Sequence, residues 1–169
     1  MGNWGDREDG IIFMSNNKLH SVTVVAVIRN SVGKYLVLKR AEHELAYPDM
    51  YTFPGGKIEG NDTVEETLVR EAQEEAGLTL KPGKILLKDK SFVRPDGQTS
   101  KVWSYLCEVK NDSKVIIDQN DFTDYQWVSL DDLKNIKHVG IEEELKKAEE
   151  IASMGISLDK LKTISVRVN

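Results

Sequence analysis

Glu71, Glu74 and Glu75 stand at positions i, i+3 and i+4 of a helical segment, so their side chains emerge on one helix face. Three anions so placed repel one another by about a few tenths of a kcal/mol per pair. Glu65 and Glu66 add negative charge near the helix start, where the macrodipole favours it, but the triplet lies in the second half, where it does not. A hard divalent cation with oxygen ligands would offset both penalties. A bare Glu-x-x-Glu-Glu is more often a solvated acidic face, so the surroundings of the triplet must decide.

Those surroundings are specific. Gly56 is followed after five residues by Asp62, and after seven more by Arg70-Glu71-Ala72-Gln73-Glu74-Glu75-Ala76-Gly77-Leu78. This resembles the Nudix box, G-x5-E-x7-R-E-U-x-E-E-x-G-U with U aliphatic, and its spacing is kept throughout. Asp62 departs from the pattern by being shorter than the usual Glu, and Ala72 is a small choice for an aliphatic place. Phe53-Pro54-Gly55-Gly56-Lys57-Ile58-Glu59 resembles the lead-in of the family's nucleotide-sanitising pyrophosphohydrolases. Trp127-Val128-Ser129-Leu130-Asp131-Asp132-Leu133 is similar to a strand and turn found later in many members. The resemblance covers residues from about 20 to 150.

What it implies is hydrolysis of a pyrophosphate bond in a nucleoside diphosphate derivative, with Mg2+ (or Mn2+) as cofactor. By position, Glu71, Glu74 and Glu75 are the implied metal ligands, and the Gly55 carbonyl is a candidate for one more because glycine permits close approach. Glu75 is also carried as catalytic, and Arg70 as the residue that orients the glutamates. Asp62 reads either as a partner of Arg70 or as the N-cap of the helix. The general base in this family often precedes the tryptophan strand; Asp121 holds that place here, with Asp118 and Asp124 as neighbours. Lys39 and Arg40 at a strand end, His43 in the loop before the box and Lys57 in the lead-in are candidates for contact with substrate. His20 and His138 read as ordinary surface or packing residues.

The elements that must position these residues follow from pattern. Val22–Ile28 is a β-branched run, turn-prone Asn30–Gly33 follows, and Tyr35–Leu38 completes a hairpin. Residues 41–50 lack a sustained period and read as loop. Thr63 and Glu66 have capping-box spacing, Gly77 is a left-handed terminator, and Val64, Leu68, Ala72 and Ala76 form a narrow apolar stripe. After Pro82-Gly83 come strand-like Ile85–Leu87 and Ser91–Val93, a turn at Pro95–Gly97, a strand from Lys101 to Val109, and a turn at Asn111–Ser113. Tyr125–Val128 predicts another strand, Leu130–Leu133 a helical turn, and Ile141–Met154 an amphipathic helix ended by Gly155. Ile164, Val166 and Val168 alternate as a terminal strand. Residues 1–18 form a polar arm, and 19–169 read as a single domain. The fold class expected is α/β (α+β), and the resemblance implies an α/β/α sandwich with a mixed sheet between helices.

Bulk properties narrow the partners. With 23 Lys and Arg against 28 Asp and Glu, the net charge is -5, which gives no reason to expect a nucleic-acid polymer as partner, since such binders usually show a basic face. No apolar run approaches the roughly 18 residues of a membrane span. Cys107 is the only cysteine, in a strand-like run, so a buried thiol is expected and a cysteine-built zinc site is not. A cytoplasmic protein acting on a small nucleotide, as monomer or homodimer, is the resulting expectation. Three activities compete. The first is a nucleoside triphosphate pyrophosphohydrolase releasing monophosphate and pyrophosphate. The second is an ADP-ribose or nucleotide-sugar pyrophosphatase, for which Pro95, 17 residues beyond Leu78, is the pointer. The third is a non-catalytic nucleotide sensor, disfavoured because such modules typically lose box glutamates.

Overall fold

The computed structural model describes residues 20–93, 97–110 and 114–156, with backbone alone at 20 and at 82–84. The expected arm, the expected terminal strand, Pro95 and the turn at 111–113 fall outside them.

The described residues build a seven-stranded mixed sheet: β1 (His20–Arg29), β2 (Tyr35–Arg40), β3 (Tyr51–Thr52), β4 (Gly55–Lys57), β5 (Leu80–Val93), β6 (Thr99–Val109) and β7 (Phe122–Val128). The order β3-β2-β1-β6-β5 forms its main path, while β4 pairs with β1 and β7 with β2. β1 and β6 run parallel from His20↔Thr99 to Arg29↔Glu108, and the other strand pairs are antiparallel. β1 contacts β2 at Arg29↔Tyr35 and then parts from it, leaving room for β4 beside Thr23–Val25.

Two helices cover opposite faces. Successive strand residues point to opposite sides, and β1 divides accordingly: Val24, Ala26 and Ile28 pack with Leu68, Ala72 and Ala76 of α1 (Val64–Ala76). Val27 joins Tyr35, Val37 and Leu106 against Leu145 and Ala148 of α2 (Glu142–Ser153). The expected sandwich with a mixed sheet between helices is therefore what forms. Cys107 is buried in the core cluster beneath α1.

One boundary differs from the sequence reading. Pro82-Gly83 does not separate two elements; β5 continues through it, paired to β6, with register shifts between Lys81 and Ile85 and between Leu86 and Lys88. A long antiparallel partner absorbs the irregularity as bulges, so local breakers do not end the strand. The helical turn near Leu130–Leu133 forms as a 3-10 helix over Asp132–Asn135, with the Asp132 carboxylate accepting from the Ser129 amide at 2.7 Å.

Candidate active site

α1 is fixed at both ends by its own sequence. The Thr63 hydroxyl accepts from the Glu66 amide at 3.2 Å, and Glu66 Oε2 accepts from the Thr63 amide at 2.8 Å, a reciprocal capping box. Gly77 ends the helix at φ +65°. The carbonyls of its last turn then take amides from the following extended segment, Ile116 to Ala76 at 2.9 Å and Asp118 to Glu75 at 3.1 Å. The Asp121 carbonyl in turn accepts from Ala41 at 2.8 Å, which brings the segment before β7 to the end of β2.

Two glycines let β4 lie between β1 and this helix. A Cβ on Gly55 would strike the Val24 carbonyl and Val25 backbone, and one on Gly56 would strike the Glu71 carboxylate. In the space so left, the Gly55 amide donates to Glu75 Oε2 at 2.8 Å, tying the last turn of α1 to the sheet.

Arg70 gathers the carboxylates around it. Its Nη1 donates to Glu71 Oε1 at 2.7 Å and reaches Glu74 Oε2 at 3.4 Å, while Nε reaches Asp62 Oδ2 at 3.4 Å. Nη2 faces the Lys57 carbonyl at 3.4 Å. Of the two roles open to Asp62, contact with Arg70 is the one the structure forms, since Thr63 is the N-cap. The shorter side chain still reaches, at long range.

Electrostatics set Glu75 apart. Burial pushes its carboxyl up to about 8, the Glu71 and Asp121 charges add to the rise, and the Gly55 amide and Arg40 oppose it. Glu71 is raised by burial as well, against the lowering effect of Arg70. Glu74 is 59% exposed at its side chain and turned toward Arg70. Among the described residues no three acidic, histidine or cysteine side chains are gathered closely enough to hold an ion as they stand. The donor chemistry nonetheless fits a hard cation: carboxylates crowd one helix face, and Glu75 keeps a proton where a metal would supply the missing positive charge. Gathering the set requires Glu74 to turn from Arg70 and Glu71 to share its oxygens.

Glu75 and Gly55 line one side of a cavity of about 420 Å3 on the α2 face of the sheet. Its floor comprises Thr23 and Val25 of β1, Val102 and Ser104 of β6, and Lys88 and Lys90 of β5. Phe53, Phe92 and Ile141 give it apolar walls, and Arg40, Tyr47 and Glu144 complete the lining. The loop beside it is held by Arg40, whose Nε donates to the Ala46 carbonyl at 2.6 Å and whose Nη2 pairs with Glu44. Tyr47 and Asp49 in that loop take positive φ, 52° and 59°.

The structure thus brings Gly55, Glu71, Glu75, Arg70 and Arg40 together, and sets Asp121 close enough to act on Glu75. Lys39 pairs with Asp49 at 3.2 Å, and His43 and Lys57 are exposed; none of the three lines the cavity. His138 accepts from the Gly140 amide at 3.1 Å, a loop-packing role, and Asp124 accepts from the Tyr51 hydroxyl at 2.6 Å. Lys88, Lys90 and Glu144 were not anticipated. Cations at i and i+2 of a strand share a face, which was a readable signal for the lysines. Nothing in Glu142-Glu143-Glu144 singles out the third.

The same segments are matched in known proteins. A family model described as NUDIX domain matches residues 19–148. The chain is 33% identical over 122 residues to the nucleoside triphosphatase NudI of Klebsiella pneumoniae (strain 342), covering 67% of this chain and 85% of that protein. NudI of Escherichia coli O139:H28 is 28% identical over 120 residues, covering 66% and 84%. In fold, the chain is similar to a MutT protein from Methanosarcina mazei Go1, with TM-score 0.63, 22% identity and coverage of 83% and 99%. It is likewise similar to a C. elegans Ap4A hydrolase, with TM-score 0.62, 20% identity and coverage of 79% and 98%.

Proposed function

Because this chain belongs to the Nudix family of hydrolases, which act on phosphorus-containing anhydrides, we propose that it converts a nucleoside triphosphate to monophosphate and pyrophosphate with Mg2+. The observation that carries this is the cavity. The Glu75–Gly55 end, the cations Arg40, Lys88 and Lys90, and an apolar chamber are continuous, so one molecule with phosphates and a flat ring fits along it. Relatives named as nucleoside triphosphatases support the choice of substrate class.

Glu71, Glu74 and Glu75, with the Gly55 carbonyl, are the residues that would hold Mg2+ or Mn2+. Bound there, the ion supplies charge neutralisation at the phosphates and a water of lowered pKa. Arg70 orients Glu71 and keeps Glu74 on the same side of the helix, from which Glu74 turns to complete the set. Arg40, near enough for its charge to act on Glu75, meets phosphate oxygens at the same end of the cavity. Asp121, whose charge already acts on Glu75, takes the proton of the attacking water.

The test is a panel of nucleoside triphosphates, ADP-ribose and a nucleotide sugar, incubated with the purified chain and Mg2+ and resolved for products. Monophosphate with pyrophosphate is the expected pair, and a chelator should abolish it. Glu75→Gln should lower kcat by roughly 10²–10³-fold, the scale for removing one catalytic electrostatic contact. Turnover confined to ADP-ribose or the sugar nucleotide would sink the triphosphate assignment, and full activity in Glu75→Gln would sink the metal-ligand set.

A further inference from the structure

The cavity has a second polar end that the hydrolytic chemistry leaves unused. Strand register places Gly55, Val25, Ser104 and Lys88 in one row across β4, β1, β6 and β5, and Lys57, Thr23, Val102 and Lys90 in the next. Neighbouring strands lie about 4.8 Å apart, so Ser104 is roughly 10 Å along the row from Gly55, the residue that ties Glu75.

Over Ser104 stands Glu144, from the first turn of α2, only 7% exposed yet lining the cavity. A carboxylate so deep needs close donors. Those it has are distant. Ser104 Oγ donates to Oε1 at 3.4 Å, and Oε2 has no hydrogen bond among the described residues, with Lys88 Nζ 3.6 Å away. Lys88 is engaged more closely by Glu143, at 2.7 Å. Around Glu144 the cavity presents Val25, Phe53, Phe92, Val102 and Ile141, walls suited to the faces of a heteroaromatic ring.

We propose that Glu144 determines which base the enzyme accepts: its carboxylate takes a hydrogen bond from a ring N–H or exocyclic amine of a base seated over Ser104. The phosphates then lie toward Gly55 and Glu75, and the ribose occupies the row between them and the base. This deepens the triphosphatase reading above and rests on it for the placing of the phosphates. An ionised carboxylate is an acceptor only, so a base offering no N–H there leaves the buried group poorly paired. Polar sites reject analogues lacking the matching group far more strongly than apolar pockets do.

The test compares the unaltered chain with Glu144→Gln on triphosphates of the common bases, and on the best of these methylated at its donor nitrogen. The unaltered chain should favour one base by about tenfold or more in kcat/KM, and methylation should raise KM about tenfold with kcat little changed. Glu144→Gln should flatten the ratio between bases. An equal loss on every base, or a preference that neither change alters, overturns the proposal and makes Glu144 a packing residue joining α2 to β6. Should Glu144→Gln not fold, the methylated triphosphate on the unaltered chain decides alone. If no triphosphate is hydrolysed, the triphosphatase reading fails by itself, and nucleoside monophosphate binding judges Glu144. Base-dependent affinity that methylation weakens upholds the assignment; indifferent or absent binding overturns it.

Discussion

At neutral pH the Glu75 carboxyl, pushed up to about 8 chiefly by burial, keeps its proton in the metal-free protein. The unfolded chain releases that proton near the ordinary glutamate value of 4.5. Between the two values the folded state binds more protons, so stability falls as pH rises through this window and levels off above it. With each pKa unit worth about 1.4 kcal/mol, the effect is on the order of a few kcal/mol. Thermal denaturation of metal-free protein from about pH 5 to about pH 8.5 should show a Tm that declines, and Glu75→Gln should remove most of that decline. Identical slopes in the two proteins would mean that burial does not hold Glu75 protonated. The glutamate triplet and Arg70 were readable from the box spacing. That Glu75 is the one whose amide partner is Gly55 and whose proton burial holds most firmly was not, because the helix face alone does not say how each residue meets β4.

The unit that aligns these groups is the pairing of α1 with the short strand β4. α1 was readable because its signals are local: a capping box, a left-handed glycine and an apolar stripe at four-residue steps. β3 and β4, of two and three residues, carry no such period and exist only because β2 and β1 pair with them. Gly56 matters here for clearance rather than for its backbone angle. In Gly56→Ala the new Cβ meets the far end of the Glu71 side chain, which can shift without moving the backbone. Such a variant should keep its Tm within about 3 °C. It should nevertheless lose on the order of 10²-fold in kcat, the scale of a misplaced catalytic group. Undiminished turnover would show that Glu71 need not sit against β4.

At the scale of the whole molecule, the cavity exists because the sheet carries helices on both faces and its β1–β2 pairing opens to admit β4. Glu75 arrives from α1 and the far wall from the start of α2, so the cavity depends on an element remote in sequence from the box. Leu145 is fully buried against Val27 and Leu106, and Leu145→Ala should cost about 2–5 kcal/mol. Because Ile141 one turn before it and Glu144 next to it both line the cavity, the same variant should raise KM for the triphosphate more than it lowers kcat. Chemical denaturation and steady-state kinetics check both parts; a loss in kcat alone would detach α2 from substrate binding.

The sequence by itself determined the family and the elements that carry local codes. Gly56 to Leu78 keeps a spacing that names the family, Thr63 and Gly77 bound α1, and a β-branched run and a strand-like run mark β1 and β6. Only the tertiary structure decided the lining of the cavity. Lys88, Lys90, Ser104, Phe53 and Glu144 come from four separate elements or segments, and strand register and helix docking, not proximity in the chain, bring them to one face. Arg40 was in view from the sequence while Lys39, His43 and Lys57 were equally plausible, because a pattern of cations near a loop does not encode which of them meets a cavity.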